Sequence, residues 1–505
     1  MLEERRPETA AVTSVAEPAA RPAGVYRDPV TWLTAACVFG VYLTLSLFRL
    51  WQRIPSSWDL GIFTEYVKQI AHLHAPIVDV RGAGFNLLGD HFQVMVAVLA
   101  PFFRVFPSPA TLLVAQALLT AVSVFPVTAA AVALLGRGPG RAVGFAYGFS
   151  WGLQAMINFD FHEIAFAVPL LAFSLSALVR GRNRAAVLWA MPLVFVKEDQ
   201  GFTVAAIGLV MLLFPRFRAM RFGAVGGVFL VVWGLAWSLI AITVIIPHFN
   251  AAHQYIYWSI GGVVGSGTPF SATGLTTQAF HAWPVKLETV VMLLLPTAFI
   301  ALGSPVALVV LPALALRFLA TNPFYWETMW HYNATAMPIL FIAAVEVMAR
   351  WRAVPSPAPE PGPGLAPAAA LWQSARAGAA RHGAAMMAAI AVALAFQFPL
   401  SNIWHAQTYR TGTHVAAINA AMARVPDGAT VQATLGLLAP LSARTDTFWT
   451  GNKGNPATQY IVFDSVESGY NPPPSDVPGF IKQLYPKAGY VPVFVSDGVY
   501  VFRRG

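Results

Sequence analysis

Apolar residues fall along this chain in long runs, broken by short polar or arginine-bearing stretches. The runs are roughly 17–25 residues, the length that carries a helix across about 30 Å of hydrocarbon at about 1.5 Å per residue. A water-soluble core would show shorter, amphipathic pieces. The run Pro29–Leu50 is too long for a signal-peptide core and lacks a small-residue cleavage site after it, so it reads as a retained signal anchor. Residues 1–28, rich in Ala, Pro, Glu and Arg and without apolar periodicity, read as a disordered cytoplasmic tail.

Basic residues set the topology. Arg137 and Arg141 flank one short loop, Arg180, Arg182 and Arg184 a second, and Arg216, Arg218 and Arg221 a third. Arg350, Arg352, Arg376 and Arg381 surround a Pro/Ala/Gly-rich linker at 353–382. Placing all four on the cytoplasmic face satisfies the excess of Lys and Arg expected there. The hairpin tips between them then lie outside: Asn158–Glu163, Lys197–Asp199, a loop near 248–285, and Thr321–Asn333. His91–Pro107 reads as a helix in the outer interface, Pro109–Leu135 as one span, and Ala185–Val196 as a short span. The expected fold over residues 29–401 is an all-α polytopic bundle of roughly eleven transmembrane helices, N-terminus in and C-terminus out.

After a last span near Ala384–Leu400 the pattern changes. Short β-rich runs at Thr430–Ala433, Gln459–Phe463, Tyr490–Val495 and Val499–Phe502 alternate with a helical stretch near Ile481–Tyr485. Ser496-Asp497-Gly498 is a hairpin signal. Residues 405–505 therefore read as a small extracytoplasmic α/β domain, with no catalytic motif in it.

Composition sharpens this picture. Of 505 residues, 57% are hydrophobic and 11% charged, against roughly 25% charged in soluble domains. The net charge of +9 is spread over short loops, which marks membrane topology and argues against a nucleic-acid partner. The lone cysteine, Cys37, excludes an internal disulfide and a cysteine metal cluster. The expected location is the plasma membrane, multi-pass.

Ionisable residues beside the membrane gather at the outer tips. Asp59 opens a helix on which Ile62, Phe63, Tyr66, Ile70 and Leu73 share one face, with Glu65, Lys68, Gln69 and His72 largely on the other, as in an interfacial helix. Ser56-x-x-Asp59 also matches a capping box, which would give Asp59 a structural role. Asp90 and His91 at the entrance to an apolar helix suit a metal or a hydroxyl, or a helix cap. Asp160, His162 and Glu163 sit within four residues; if a helix starts there, Asp160 and Glu163 face one point. Lys197-Glu198-Asp199 forms a third acidic tip, its lysine able to meet a carboxylate or a phosphate. Arg317, near the outer end of an apolar run, must snorkel or find an anion, and a lipid phosphate matches its guanidinium bidentately. His331 and Tyr332 close an aromatic loop suited to an interfacial belt, or to binding and proton transfer.

In their order, Asp59-x-Gly61-x-Phe63, Gly89-Asp90-His91, Phe161-His162-Glu163, Lys197-Glu198-Asp199 and His331-Tyr332 resemble a bacterial polytopic membrane-protein family of unknown function. That family is similar to a distant branch of the GT-C superfamily of integral-membrane glycosyltransferases. The resemblance covers most of residues 50–350 and implies a GT-C-like bundle with outer juxtamembrane helices. It implies an inverting sugar transfer from a polyprenyl-phosphate donor to a glycan, lipid or protein acceptor. Asp59 matches the first-loop acid and would be the general base; Asp160 and Glu163 are the other candidate catalytic acids. His91, His162, Lys197, Glu198, Arg317, His331 and Tyr332 would bind substrate. Arg317, Lys197, or a divalent ion held by Asp90 and His91 would stabilise the leaving phosphate. Two other classes stay open: a transporter or lipid flippase, which asks for charges through the depth of the bundle, and a non-catalytic envelope-assembly protein.

Overall fold

The computed structural model describes residues 26–54, 57–258, 272–353 and 366–505. The expected tail 1–28 lies outside these except for Tyr26–Asp28. Asp28 caps the first helix, Pro29–Trp51, its Oδ2 accepting from Thr31 Oγ1 at 2.8 Å.

Among the described residues five helices are long and apolar enough to cross a membrane: Pro29–Trp51, Pro109–Leu135, Gly223–Phe249, His331–Ala353 and Leu371–Ala395. Shorter apolar helices at Val94–Val105, Glu163–Val179, Asn183–Phe195, Gln200–Leu213 and Pro305–Leu319 pack among them. The basic loops meet one another at one end of this bundle. Arg141 pairs with Asp28 at 2.5 Å, Glu346 pairs with Arg216 at 2.9 Å and Arg350 at 3.2 Å, and Arg352 donates to Leu135 O. His331 begins the helical segment that ends in this arginine cluster. Its fifteen-residue offset from Glu346 puts the two about 22 Å apart along the axis.

The expected linker at 353–382 is in its described part the first half of a helix, Ala366–Ala395. Alanine costs least of all residues in a helix, so a run rich in it extends the span toward the loop. The helix Asp59–Ala71 forms as expected, but Glu65 is fully buried and Leu73 is 91% exposed. Leu73 has φ +60° and so leaves the helical face, while residues 79–81 cover Glu65, whose Oε2 accepts from Val80 N at 3.0 Å.

The C-terminal part forms a five-stranded sheet in the order β2-β1-β3-β5-β4: β1 Thr430–Ala433, β2 Asp446–Trp449, β3 Tyr460–Asp464, β4 Tyr490–Ser496 and β5 Val499–Arg504. β1 runs parallel to β2 and β3, while β5 is antiparallel to β3 and β4. Asp497 (φ +47°) and Gly498 (φ +75°) make the expected tight hairpin. One sheet face packs on the helix Val477–Leu484; the other shares Val431, Leu437 and Leu438 with the apolar core of the bundle.

Close helix contacts set the positions of the tips. A Cβ on Gly234 would lie 2.2 Å from Gly201 O, and Ser238 Oγ donates to Glu198 O at 2.6 Å. The helices Gln200–Leu213 and Gly223–Ile240 thus touch backbone to backbone directly behind Lys197–Asp199. Gly234→Ala is expected to force them apart and lower stability by about 1–3 kcal/mol, read as a fall in melting temperature of the detergent-purified protein.

Candidate functional site

The tips converge on two adjoining cavities. The first, of about 380 Å³, is lined by Asp59, Arg81, Asp90, His91, His162, Glu163, Lys197, His331 and Tyr332, with Trp58, Phe159, Phe324 and Trp330 among its aromatic walls. The second, of about 420 Å³, adds Glu198, Asp199 and Arg317 to an apolar lining that includes Ile164, Phe202, Ile242 and Leu316. Six residues line both: His91, Lys197, Tyr257, Asn322, Tyr325 and Tyr332.

Asp59 opens its helix without capping it: Trp58 is the N-cap and makes no side-chain cap bond. Ser56 lies outside the described residues. Ser57 instead brackets the acid, its Oγ donating to Asp59 Oδ2 at 2.5 Å and accepting from Asp59 N at 2.9 Å. The carboxylate is thereby oriented on the cavity wall.

Lys197 sits in the common wall. Its Nζ lies 3.0 Å from Oε1 of the fully buried Glu163, whose Oε2 pairs with His162 Nδ1. Burial disfavours the ammonium, but Glu163, Asp199 and Glu198 around it outweigh burial and hold Lys197 well above the ordinary lysine range. The His162 ring stacks on His331 with centroids 3.6 Å apart at 21°. Neither ring nitrogen of His331, a residue 1% exposed, has a hydrogen-bond partner among the described residues.

His91 Nδ1 lies 2.6 Å from Glu198 Oε1, while Glu198 Oε2 accepts from Phe92 N at 3.0 Å and Tyr255 OH donates to Oε1 at 3.1 Å. Burial pushes Glu198 up, yet His91 and Lys197 beside it prevail and hold it at about 2. Asp199 next to it goes the other way, raised by burial and by the charge of Glu198.

Three expectations are corrected. Asp160 does not share the site with Glu163: it has φ +72°, so no helix starts there, and it lines a separate small cavity with Arg49, 3.9 Å away. Buried Gln116 fixes that turn, donating to Asp160 O and accepting from His162 N at 3.1 Å. Arg317 neither snorkels nor presents a bare cation. Its nitrogens donate to Tyr325 O at 2.8 Å, Tyr332 O at 3.3 Å and Asn333 Oδ1 at 2.9 Å, pinning the aromatic loop. Asp90 and His91 do not converge as metal ligands. Asp90 Oδ1 takes Arg81 at 3.1 Å and Tyr257 OH at 2.8 Å, and among the described residues no three His, Cys, Asp or Glu side chains are grouped to hold a metal. This donor set does not fit a metal ion.

Sequence reasoning missed Arg81, Tyr257 and the wall role of Trp58. Arg81 lies over the Trp58 ring at 4.9 Å, and Tyr257 stacks on His91 at 4.4 Å. The signals were an arginine in a short outer loop and a Tyr-x-Tyr pair in a long one.

A family model described as "predicted membrane protein (DUF2079)" matches residues 49–500. The chain belongs to this family. No curated protein sequence matches this family member. Among solved structures, ArnT from Cupriavidus metallidurans bound to undecaprenyl phosphate aligns over 93% of this chain and 97% of its own, with TM-score 0.54 and 13% identity. The apo form of that protein aligns over the same shares with TM-score 0.50 and 11% identity. The family member thus shares its overall fold with ArnT.

Glu65 supplies a pH-dependent prediction. Burial raises its carboxyl from 4.5 to about 8. Between these values the unfolded chain is ionised while the folded one holds the proton, so stability falls as pH rises from 4.5 toward 8 and then levels. Glu65→Gln is expected to remove that slope, a difference of a few kcal/mol at the alkaline end, seen as a flatter dependence of melting temperature on pH.

Proposed function

We propose that this protein transfers a sugar from a polyprenyl-phosphate-linked donor to an extracytoplasmic acceptor, with inversion. The observation that carries the reading is the meeting of an apolar cavity and a polar, aromatic one at a wall that holds Lys197, with Asp59 on the polar side. An apolar cavity suits the start of a polyprenyl chain, and the polar one a hydroxylated acceptor stacking on aromatic rings. The likeness to a protein crystallised with undecaprenyl phosphate supports the same lipid class.

In this mechanism Asp59 takes the proton from the acceptor hydroxyl as its oxygen attacks the anomeric carbon. The bond from that carbon to the phosphate oxygen breaks, and its electron pair leaves on polyprenyl phosphate. Lys197 has three donors; one meets Glu163 and the others neutralise the departing phosphate. Glu163 and His162 hold Lys197, Glu198 holds His91 against Tyr257, and Arg317 holds Tyr325 and Tyr332 in the common wall. His331, with both nitrogens unpartnered among the described residues, is assigned to the acceptor. The C-terminal domain packs beside the site, opposite the arginine-rich end, which supports an extracytoplasmic face of the plasma membrane.

The test uses the full chain in nanodiscs with a panel of undecaprenyl-phosphate hexoses. Asp59→Asn should lower transfer by roughly 10²–10⁴-fold while leaving undecaprenyl phosphate bound. Lys197→Ala should weaken both binding and turnover. Unchanged transfer in both variants overturns the assignment.

A further inference from the structure

The C-terminal domain touches the bundle where the two segments carrying Trp58, Asp59 and Arg81 lie. Gly61, two residues from the catalytic candidate, has no room for a side chain: a Cβ there would sit 2.9 Å from Leu438 Cβ. Trp449, at the end of β2, meets the Trp58 ring edge-on at 4.9 Å and 72°, and Arg81 lies over the same Trp58 ring at 4.9 Å. Asn452 Nδ2 donates to Val80 O at 2.8 Å, next to Arg81, and Lys68 Nζ donates to Thr445 O at 2.6 Å. The buried Trp449 Nε1 has no hydrogen-bond partner among the described residues. An unpaired buried donor is costly, and here the indole keeps its contact with Trp58 despite that cost.

We propose that Trp449 and Asn452 are positioning residues of the site: the C-terminal domain holds the Trp58–Arg81 wall in register with Asp59, and so completes the polar cavity. This rests on the glycosyl-transfer reading for its activity arm. Trp449 touches Trp58, and Trp58 lines the cavity while Trp449 does not. Its effect therefore passes through one ring, and the geometry of Arg81 and its partner Asp90 follows from that ring's place. The domain acts as part of the active-site wall, in contrast to a separate module for capturing acceptors.

The test compares Trp449→Ala, Trp449→Phe and Asn452→Ala in the full chain in nanodiscs. Trp449→Ala should lower kcat by roughly 10- to 100-fold with undecaprenyl phosphate affinity unchanged, and Trp449→Phe should recover most of the rate. In a Trp58→Ala background, Trp449→Ala should cost nothing more. Independent, multiplying losses, or a loss of lipid affinity equal to the loss of rate, would overturn the proposal. Amide exchange over residues 79–91, read without substrate, should quicken in Trp449→Ala; unchanged protection overturns it whether or not any donor is turned over. If Trp449→Ala fails to fold, Asn452→Ala, which deletes only the bond to Val80, carries both readouts. Absence of transfer by the unmodified chain from every donor would overturn the glycosyl-transfer reading alone, because the exchange measurement still decides the positioning.

Discussion

The site is organised by one ion pair, Lys197 with the buried Glu163. Taking an ammonium and a carboxylate out of water costs several kcal/mol per ion, recovered only when each meets its partner in good geometry. Neither residue can therefore leave the other without stranding a charge. The pair joins the turn ahead of Gln200–Leu213 to the tip ahead of Ala167–Val179, and Gln116, Ser238 and the Gly201–Gly234 contact hold those tips from behind. Around it stand His162 and His331 on one side and Glu198 and His91 on the other.

A second constraint is the common wall. Because His91, Lys197, Tyr257 and Tyr332 face both cavities, a charge change on one side is felt on the other at close range, with little water between to screen it. Neighbouring acids shift in opposite directions: burial raises Asp199, while His91 and Lys197 overcome burial at Glu198 and lower it. Such a wall suits chemistry in which a proton leaves on one side while negative charge develops on the other.

Much of this was legible in the chain. The membrane character, the sheet strands read at Thr430–Ala433 and Val499–Phe502, the latter observed to Arg504, and the gathering of polar tips followed from hydrophobic runs, turn residues and arginine placement. What escaped was governed by tertiary context. Asp160 and Glu163 have helical spacing, but Asp160, at φ +72°, lies ahead of the helical segment that Glu163 opens. Arg317 spends its nitrogens on carbonyl groups of a loop that sequence could only describe as aromatic. Glu65 looked exposed because the residues that bury it, near Val80, come from a separate segment. β2 was missed because a four-residue strand beside a Gly/Asn-rich stretch carries little periodicity.

The contact between Asn452 and Val80 joins residues 372 positions apart. At about 5–20 residues per second of synthesis, roughly 20–75 s separate their emergence from the ribosome. The early helices, Asp59 among them, are in the bilayer well before the strand that braces them exists. On the proposed role of Trp449 and Asn452, a chain cut short before Trp449 would lack the finished wall.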